Sequence, residues 1–113
     1  MRLIYKLLDA PSWNAALAAG VFTGSAVDEK DGFIHFSDAG QAQETARLHF
    51  KGQADLVLLT IDADRLGEGL IWEPSRGGVL FPHLYGPLAI SAVLEARALD
   101  LDADGVPILG ALS

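Results

Sequence analysis

Two short segments of this chain combine turn-forming residues with polar side chains that could do chemistry. The first is GFIHFS, residues 32–37. In an extended strand, His35 points away from its neighbours Ile34 and Phe36. Ser37 follows on the same face as His35, at the predicted start of a helix. Because free N–H groups at a helix start attract phosphate and carboxylate groups, His35 and Ser37 are candidate ligand contacts.

The second segment is WEPSRGGVLFPHLYGP, residues 72–87. Ordering a loop so rich in Gly and Pro costs conformational entropy, and binding residues concentrate on such loops. Arg76 next to Gly77 could bind a phosphate, since a guanidinium fork and a free backbone amide both donate to phosphate oxygens. Glu73 could orient a hydroxyl or act as a base. The structural alternative is that Glu73 and Arg76 form an ion pair that holds the loop.

Two further residues of the second segment complete the candidate set. His83 is a third acid–base candidate beside His35 and Glu73, and Tyr85 is a candidate ligand contact. Each candidate also has a structural interpretation. Ser37 could serve only as a helix cap, His35 could be a hydrogen-bonded core residue, and Tyr85 could pack in the core.

The remaining polar patterns predict no metal site. His35, His49 and His83 come from separate elements and lack the short ligand spacing of zinc sites. His49 falls on the apolar face of a predicted helix and is interpreted as structural. The acidic stretch 100–105 matches the start of a calcium loop, but Ala111 stands where a bidentate Glu is required.

Helix signals in the sequence are clear at two places. Pro11 suits a first helical turn, and Gly20 suits a left-handed C-cap. Asp38 and Gln41 have the spacing of a capping box. The apolar face predicted for the first helix consists of Trp13, Ala16 and Leu17.

The order of elements predicts an α+β domain. Strand, helix, strand, helix and then several strands indicate a mixed or antiparallel sheet, with two main helices in the N-terminal half. We predict one domain over residues 1–113, in which residues 99–113 form a loose extension. Strands are predicted at 3–8, 33–36, 55–62, 70–73, 79–81 and 88–98, helices at 9–20 and 38–50, and a loop at 21–32. The apolar run within 55–62 is typical of a central strand covered on both faces.

Composition excludes several classes of protein. The chain has 113 residues, half of them hydrophobic, and no cysteine, so no disulfide, thiolate nucleophile or cysteine zinc site is predicted. The formal net charge is −7 and the eight basic residues are scattered, which argues against nucleic-acid binding. No apolar run is long enough to span a membrane, and the N-terminus lacks signal-peptide features, so we expect a cytoplasmic protein.

At its motifs the chain resembles a bacterial family, the domain of unknown function 952 (DUF952). The resemblance covers nearly the whole chain, and its most specific part is the second segment. The matching pieces are Ile4–Lys6, Trp13, Asp31–Ser37, Leu56–Leu59, Trp72–Gly78 and Phe81–Leu88.

This resemblance implies an ADP-ribosyltransferase-like fold, nearest in pattern to the RNA 2′-phosphotransferases. Those enzymes end a strand with His, a hydrophobic residue and Ser, as at His35-Phe36-Ser37 here. The resemblance implies that His35 and Ser37 face a ligand cleft and that NAD is the cofactor to consider. Lys6 stands where such enzymes often place a His or Arg that contacts the dinucleotide.

Two functions remain open from the sequence. One is a transferase for a small phosphorylated or ribose-bearing ligand, moving an ADP-ribosyl or phosphoryl group. In it Arg76 and Lys6 would offset phosphate charge, His35 would hold a ribose hydroxyl and Glu73 would polarise a nucleophile. The other is a ligand-binding or protein-interaction domain without catalysis. RNA 2′-phosphate removal is a third possibility, which the acidic charge balance disfavours.

Overall fold

The structure is a computed structural model and describes residues 1–112, apart from the side chain of Arg76. It confirms the α+β class, and every strand pair among the described residues is antiparallel. The helices are α1 (Ala10–Ala19), α2 (Ala26–Asp31) and α3 (Ala42–His49). The strands are β1 (Leu3–Asp9), β2 (Val21–Phe22), β3 (Ile34–His35), β4 (Leu56–Asp62), β5 (Leu70–Pro74), β6 (Leu80–Leu84), β7 (Leu88–Ala89) and β8 (Val93–Ala98).

Strand β4 forms the centre of the molecule. It lies between β1 and β8, and six of its seven residues are buried. Alternate side chains of a strand point to opposite faces, so β4 contributes to two cores. Leu59 packs in one of them with Ile4, and Leu58 packs in the other with Leu7. The prediction of a covered central strand is confirmed.

A backbone bridge joins this sheet to the candidate site. The sheet β3-β6-β5 carries His35 and His83, and the segment after β3 pairs with β1. The Tyr5 amide donates to the Ser37 carbonyl at 2.7 Å, and the Ser37 amide donates to the Tyr5 carbonyl at 2.9 Å. Lys6, the next residue of β1, is thereby placed beside β3.

The first helix begins and ends where the sequence predicts. The Asp9 carboxylate accepts a hydrogen bond from the Ser12 amide at 2.9 Å, and Gly20 closes the helix with a φ of 80°. Trp13 is buried as predicted, but Leu17 is 49% exposed. The helix packs through a narrow stripe, and Leu17 lies outside it.

The predicted loop at 21–32 is wrong. It contains β2 and α2, and α2 ends at Gly32, which has a φ of 85°. Only one residue of this short helix, Asp28, is buried. A helix held by a buried carboxylate has no apolar stripe, so hydrophobic periodicity could not reveal it.

Two other boundaries differ from the sequence prediction. The predicted strand at 88–98 is broken at 90–92 by a 3₁₀ turn, because β7 pairs with β2 whereas β8 pairs with β4. The helix predicted from residue 38 starts at Ala42. Asp38 and Gln41 do exchange the backbone–side-chain bonds of a capping box, and these bonds shape the turn before the helix.

The segment after β8 packs against the rest of the protein. Leu109 is 1% exposed and belongs to the same core as Leu58. Leu101 and Pro107 form a backbone bridge, and the Gln43 side-chain amide of α3 donates to the Pro107 carbonyl at 3.0 Å. These contacts tie residues 99–112 to α3 and the core.

The central position of β4 leads to a test of the core. Leu59→Ala removes a side chain that is 0% exposed, and we expect the free energy of unfolding to fall by about 2–5 kcal/mol. Leu94→Ala in β8 is the matched control, because Leu94 is 44% exposed and the change should stay within about 0.5 kcal/mol. Urea unfolding of both variants makes the comparison, and equal losses would contradict this account of the core.

Candidate functional site: an acid–histidine cluster

Three residues predicted to be catalytic lie on neighbouring strands. His35 of β3 stands directly opposite His83 of β6, and the ring centroids are 5.5 Å apart. Glu73 of β5 reaches the same point, since Ile71 is the partner of His83 and Glu73 follows two residues later on the same face. The antiparallel register therefore brings His35, Glu73 and His83 together.

Glu73 holds His83 and Tyr85 through a single oxygen. His83 Nδ1 lies 2.8 Å from Glu73 Oε1, and the Tyr85 hydroxyl donates to the same oxygen at 2.7 Å. The bond from Tyr85 and then that from His83 lower the pKa of Glu73, and the bond to Glu73 raises the pKa of Tyr85. Since an ionised carboxylate only accepts, Nδ1 carries the proton and Nε2 of neutral His83 holds the free lone pair.

His83 Nε2 is the one ring nitrogen of the two clustered histidines with no hydrogen-bond partner among the described residues. The His83 side chain is 5% exposed, whereas that of Glu73 is 34% exposed. An imidazole oriented by a carboxylate, with its second nitrogen unused, is the arrangement of a general base.

The other half of the cluster is built on the carboxylate of Asp28, which is 2% exposed. One oxygen accepts from His35 twice, from Nδ1 at 2.6 Å and from the backbone amide at 3.1 Å. The second oxygen accepts from the Ser25 amide at 2.8 Å and the Ser25 hydroxyl at 3.0 Å. Lys6 Nζ lies 3.1 Å from this oxygen.

Asp28 and Lys6 form a buried ion pair. Burial raises the pKa of Asp28, but the bond from His35, the charge of Lys6 and the amides of Ser25 and His35 outweigh burial and hold that pKa well below its ordinary value. Burial lowers the pKa of Lys6, and its attraction to Asp28 only partly offsets this. Lys6 Nζ also donates to the His35 carbonyl at 2.9 Å. The Lys6 ammonium group therefore makes these polar contacts inside the protein.

His35 is held from both sides. Its Nε2 lies 2.9 Å from a carboxylate oxygen of Asp31, while Nδ1 faces Asp28. The Asp31 side chain is 41% exposed, whereas that of Asp28 is 1% exposed. The Asp28 contact is therefore the structural one, and the Asp31 contact faces solvent, where another group could replace it.

Phe33 forms the aromatic wall of the cluster. Its ring is stacked on His83, with centroids 4.0 Å apart and planes 21° apart. It also contacts the rings of His35 and Tyr85, at 4.6 and 5.3 Å between centroids. The stacked ring restricts the approach of water to one face of His83.

Two other predicted ligand contacts have structural surroundings: Ser37 makes an internal contact, and Gly77 belongs to a turn. Ser37 is 3% exposed, and its hydroxyl is 2.9 Å from that of Thr45 in α3. Gly77, with a φ of 69°, belongs to the turn after β5. The prediction for the Arg76 side chain lies outside the described residues.

The sequence prediction missed the acids of α2 and the ring of Phe33. A signal for Asp28 was present, since Ser25 and Asp28 have capping-box spacing and both bonds of that box are formed. No apolar run follows this pattern, so it lacks the usual signature of a helix start. The partners Lys6 and His35 are distant in sequence, and only the fold brings them to Asp28.

A cavity of about 330 Å³ adjoins the cluster. It shares Phe33 and Asp28 with the cluster, but its lining does not include His35, Glu73 or His83. A second cavity of about 550 Å³ opens between β1, β8 and the C-terminal segment and contains no predicted site residue.

Neither a metal site nor a membrane-spanning helix is found among the described residues. No group of three or more His, Asp or Glu side chains there could hold a metal ion. No helix in residues 1–112 is long and apolar enough to cross a membrane.

The fold and the cluster together define a small α+β protein with antiparallel sheets and, among its described residues, three carboxylate–histidine contacts. Residues 7–96 match the model of the family described as "Protein of unknown function (DUF952)". The chain belongs to this family, as its motifs predict. Its likeness to ADP-ribosyltransferases stays a prediction.

Solved structures of one protein, CC0527 from Caulobacter crescentus, are similar to this chain. Its X-ray structure is 62% identical with a TM-score of 0.94, and the match covers 96% of this chain and 95% of that one. Its solution NMR structure is also 62% identical, with a TM-score of 0.87 and coverage of 97% and 95%. A comparison with curated proteins gave no match.

The buried ion pair yields a stability test. Asp28→Asn leaves the Lys6 charge buried without its partner, and we expect a loss of about 3–5 kcal/mol in the free energy of unfolding. Asp31→Asn is the control, since its exposed contact is worth about 1 kcal/mol or less. Adding Lys6→Met to Asp28→Asn should recover part of the loss. Equal effects of the two single variants in urea unfolding would contradict the central role of Asp28.

The lowered pKa of Asp28 also predicts how stability depends on pH. A carboxyl group whose folded pKa is depressed adds stability above its unfolded pKa, near 3.8, and that stability is lost as pH falls towards the folded value. We expect the stability difference between the wild type and Asp28→Asn to be constant near neutral pH and to shrink below about pH 4. Urea unfolding across this range measures the difference. A difference that stayed constant into acid would mean that folding does not lower the pKa of Asp28.

Proposed function

We propose that the acid–histidine cluster is an acid–base site for a small ligand bearing ribose-type hydroxyl groups. The observation that carries the proposal is the Glu73–His83 contact of 2.8 Å, which leaves His83 Nε2 as an oriented base. A hydroxyl of the ligand would donate to this nitrogen. Tyr85 and Glu73 act through His83 by fixing its tautomer and orientation.

The charges around the cluster favour hydroxyl groups over phosphate at this point. Glu73 and Asp31 present partly exposed carboxylates, and the nearest lysine, Lys6, is paired with Asp28. Carboxylates accept from hydroxyls and repel phosphates. A ligand hydroxyl could take the place of Asp31 at His35 Nε2. A phosphate of the same ligand would have to lie further off, where Arg76 and the Gly77 amide are its proposed partners.

Transfer of an ADP-ribosyl group is the reaction class we propose for this site. It rests on the family's likeness to ADP-ribosyltransferases together with the ribose-directed cluster, and NAD would be the donor. We expect NAD itself to bind weakly, because Lys6 occupies the position of the usual dinucleotide contact and is paired internally. RNA 2′-phosphate removal has less support, since an RNA substrate favours a basic rim and this site is acidic.

A ligand-binding domain without catalysis is the second candidate function. The specific observation in its favour is the internal pairing of Lys6, which removes a cation that could offset the phosphate charge of a dinucleotide. The two candidates share the ligand site and differ in turnover. Release of nicotinamide from NAD, measured by chromatography, distinguishes them.

A titration with ADP-ribose tests the site. We expect saturable changes in the ¹H–¹⁵N spectrum around His35, His83 and Tyr85. His83→Gln should weaken binding by roughly tenfold, or about 1.4 kcal/mol, since the oriented lone pair is lost. His49→Gln is the control, because His49 lies on the exposed side of α3. No saturable binding, or an equal loss in both variants, would refute the proposed site.

A further inference from the structure

The cavity next to the cluster has its own chemical character. Its volume of about 330 Å³ lies at the small end of the range for ligand sites, which begins at about 300 Å³. Most of its wall is apolar and includes the buried residues Leu84 and Ile34. Phe33 adjoins both the cavity and His83, because it lines the cavity and its ring stacks on the histidine.

The charged residues of the cavity all have the same sign. Asp28 and Glu29 line it, and its lining contains no Lys, Arg or His. The Asp28 carboxylate is already paired with Lys6 and His35, so it adds little uncompensated charge. Glu29 is exposed on α2 and has no ion-pair partner among the described residues. Glu29 therefore sets the sign of the potential at the mouth.

We infer that this cavity binds a small aromatic ring that carries a positive charge. The apolar wall accommodates the ring, Phe33 offers an aromatic surface to a cation, and Glu29 supplies the opposite charge. The same features exclude a ring bearing a carboxylate or phosphate. The cavity thus selects the cationic end of a ligand.

The inference deepens the proposed function by naming the part of the ligand that lies beside the histidines. Phe33 contacts both His83 and the cavity, so one molecule can place its ring in the cavity and its hydroxyls at His83. This link rests on the proposed function. The selectivity of the cavity for charge does not, and ring fragments too small to reach His83 test it separately.

Three fragments that differ mainly in charge provide the probe. Benzylamine is cationic, benzyl alcohol is neutral and benzoate is anionic at neutral pH. In ¹H–¹⁵N titrations we expect benzylamine to shift the amides of Thr23, Gly32, Phe33 and Gly86. It should bind about fivefold more tightly than benzyl alcohol, the ratio that one opposite charge about 4 Å away provides in water, and benzoate should bind more weakly still.

Charge reversal gives the matched controls. Glu29→Lys should invert the preference so that benzoate binds more tightly than benzylamine. Glu68→Lys changes the net charge by the same amount at an exposed position outside the cavity lining, and it should leave the preference unchanged. Thr23→Trp should abolish binding of all three fragments by filling the cavity.

Several outcomes would overturn the inference. These are the absence of saturable shifts from benzylamine, equal binding of benzoate by the wild type, and an inversion by Glu68→Lys as large as that by Glu29→Lys. Because His83→Gln leaves the cavity intact, fragment binding should persist in that variant even if the ADP-ribose titration fails. The two proposals can therefore fail independently.

Discussion

The buried carboxylate of Asp28 is the interaction on which the rest of the site depends. It accepts from Lys6, Ser25 and His35, which come from β1, the turn before α2, and β3. A carboxylate that is 2% exposed is tolerated only when all of its acceptor positions are used, so each donor is fixed by the others. The position of the His35 ring follows from this set of bonds, which also attach α2 to the rest of the protein through its one buried residue.

The two histidines differ in how many of their ring nitrogens are bonded. His35 is bonded at both ring nitrogens, whereas His83 is bonded at one. The more rigid half of the cluster is therefore the Asp28 half, and the half with an unused nitrogen is formed by β5 and β6. Phe33 connects them by contacting both rings. In the proposed site, the Asp28 half would hold the histidines in place and the His83 half would contact the ligand.

A feature of this structure could be predicted from the sequence when its signal lies in neighbouring residues of the chain. The alternation around His35 and the turn-rich segment around Glu73 were enough to nominate His35, Glu73 and His83, and antiparallel pairing brings them together. The long apolar run of β4 identified the central strand. The role of Lys6 could not be predicted, because a lysine is normally exposed and its partner lies 22 residues away. Helix α2 could not be predicted from hydrophobic periodicity, because polar contacts rather than an apolar stripe hold it.

The bridge between Tyr5 and Ser37 has a consequence for how the molecule opens. Lys6 follows Tyr5 on β1, so its reach to Asp28 depends on the register between β1 and β4 as well as on the site itself. A slip of one residue would exchange Lys6 for an apolar neighbour and direct its charge into the opposite core. A local opening that separates β1 from its neighbours is therefore expected to disturb the cluster as well. We therefore expect the amide hydrogens around His35 to exchange with solvent in the same openings as those of β1.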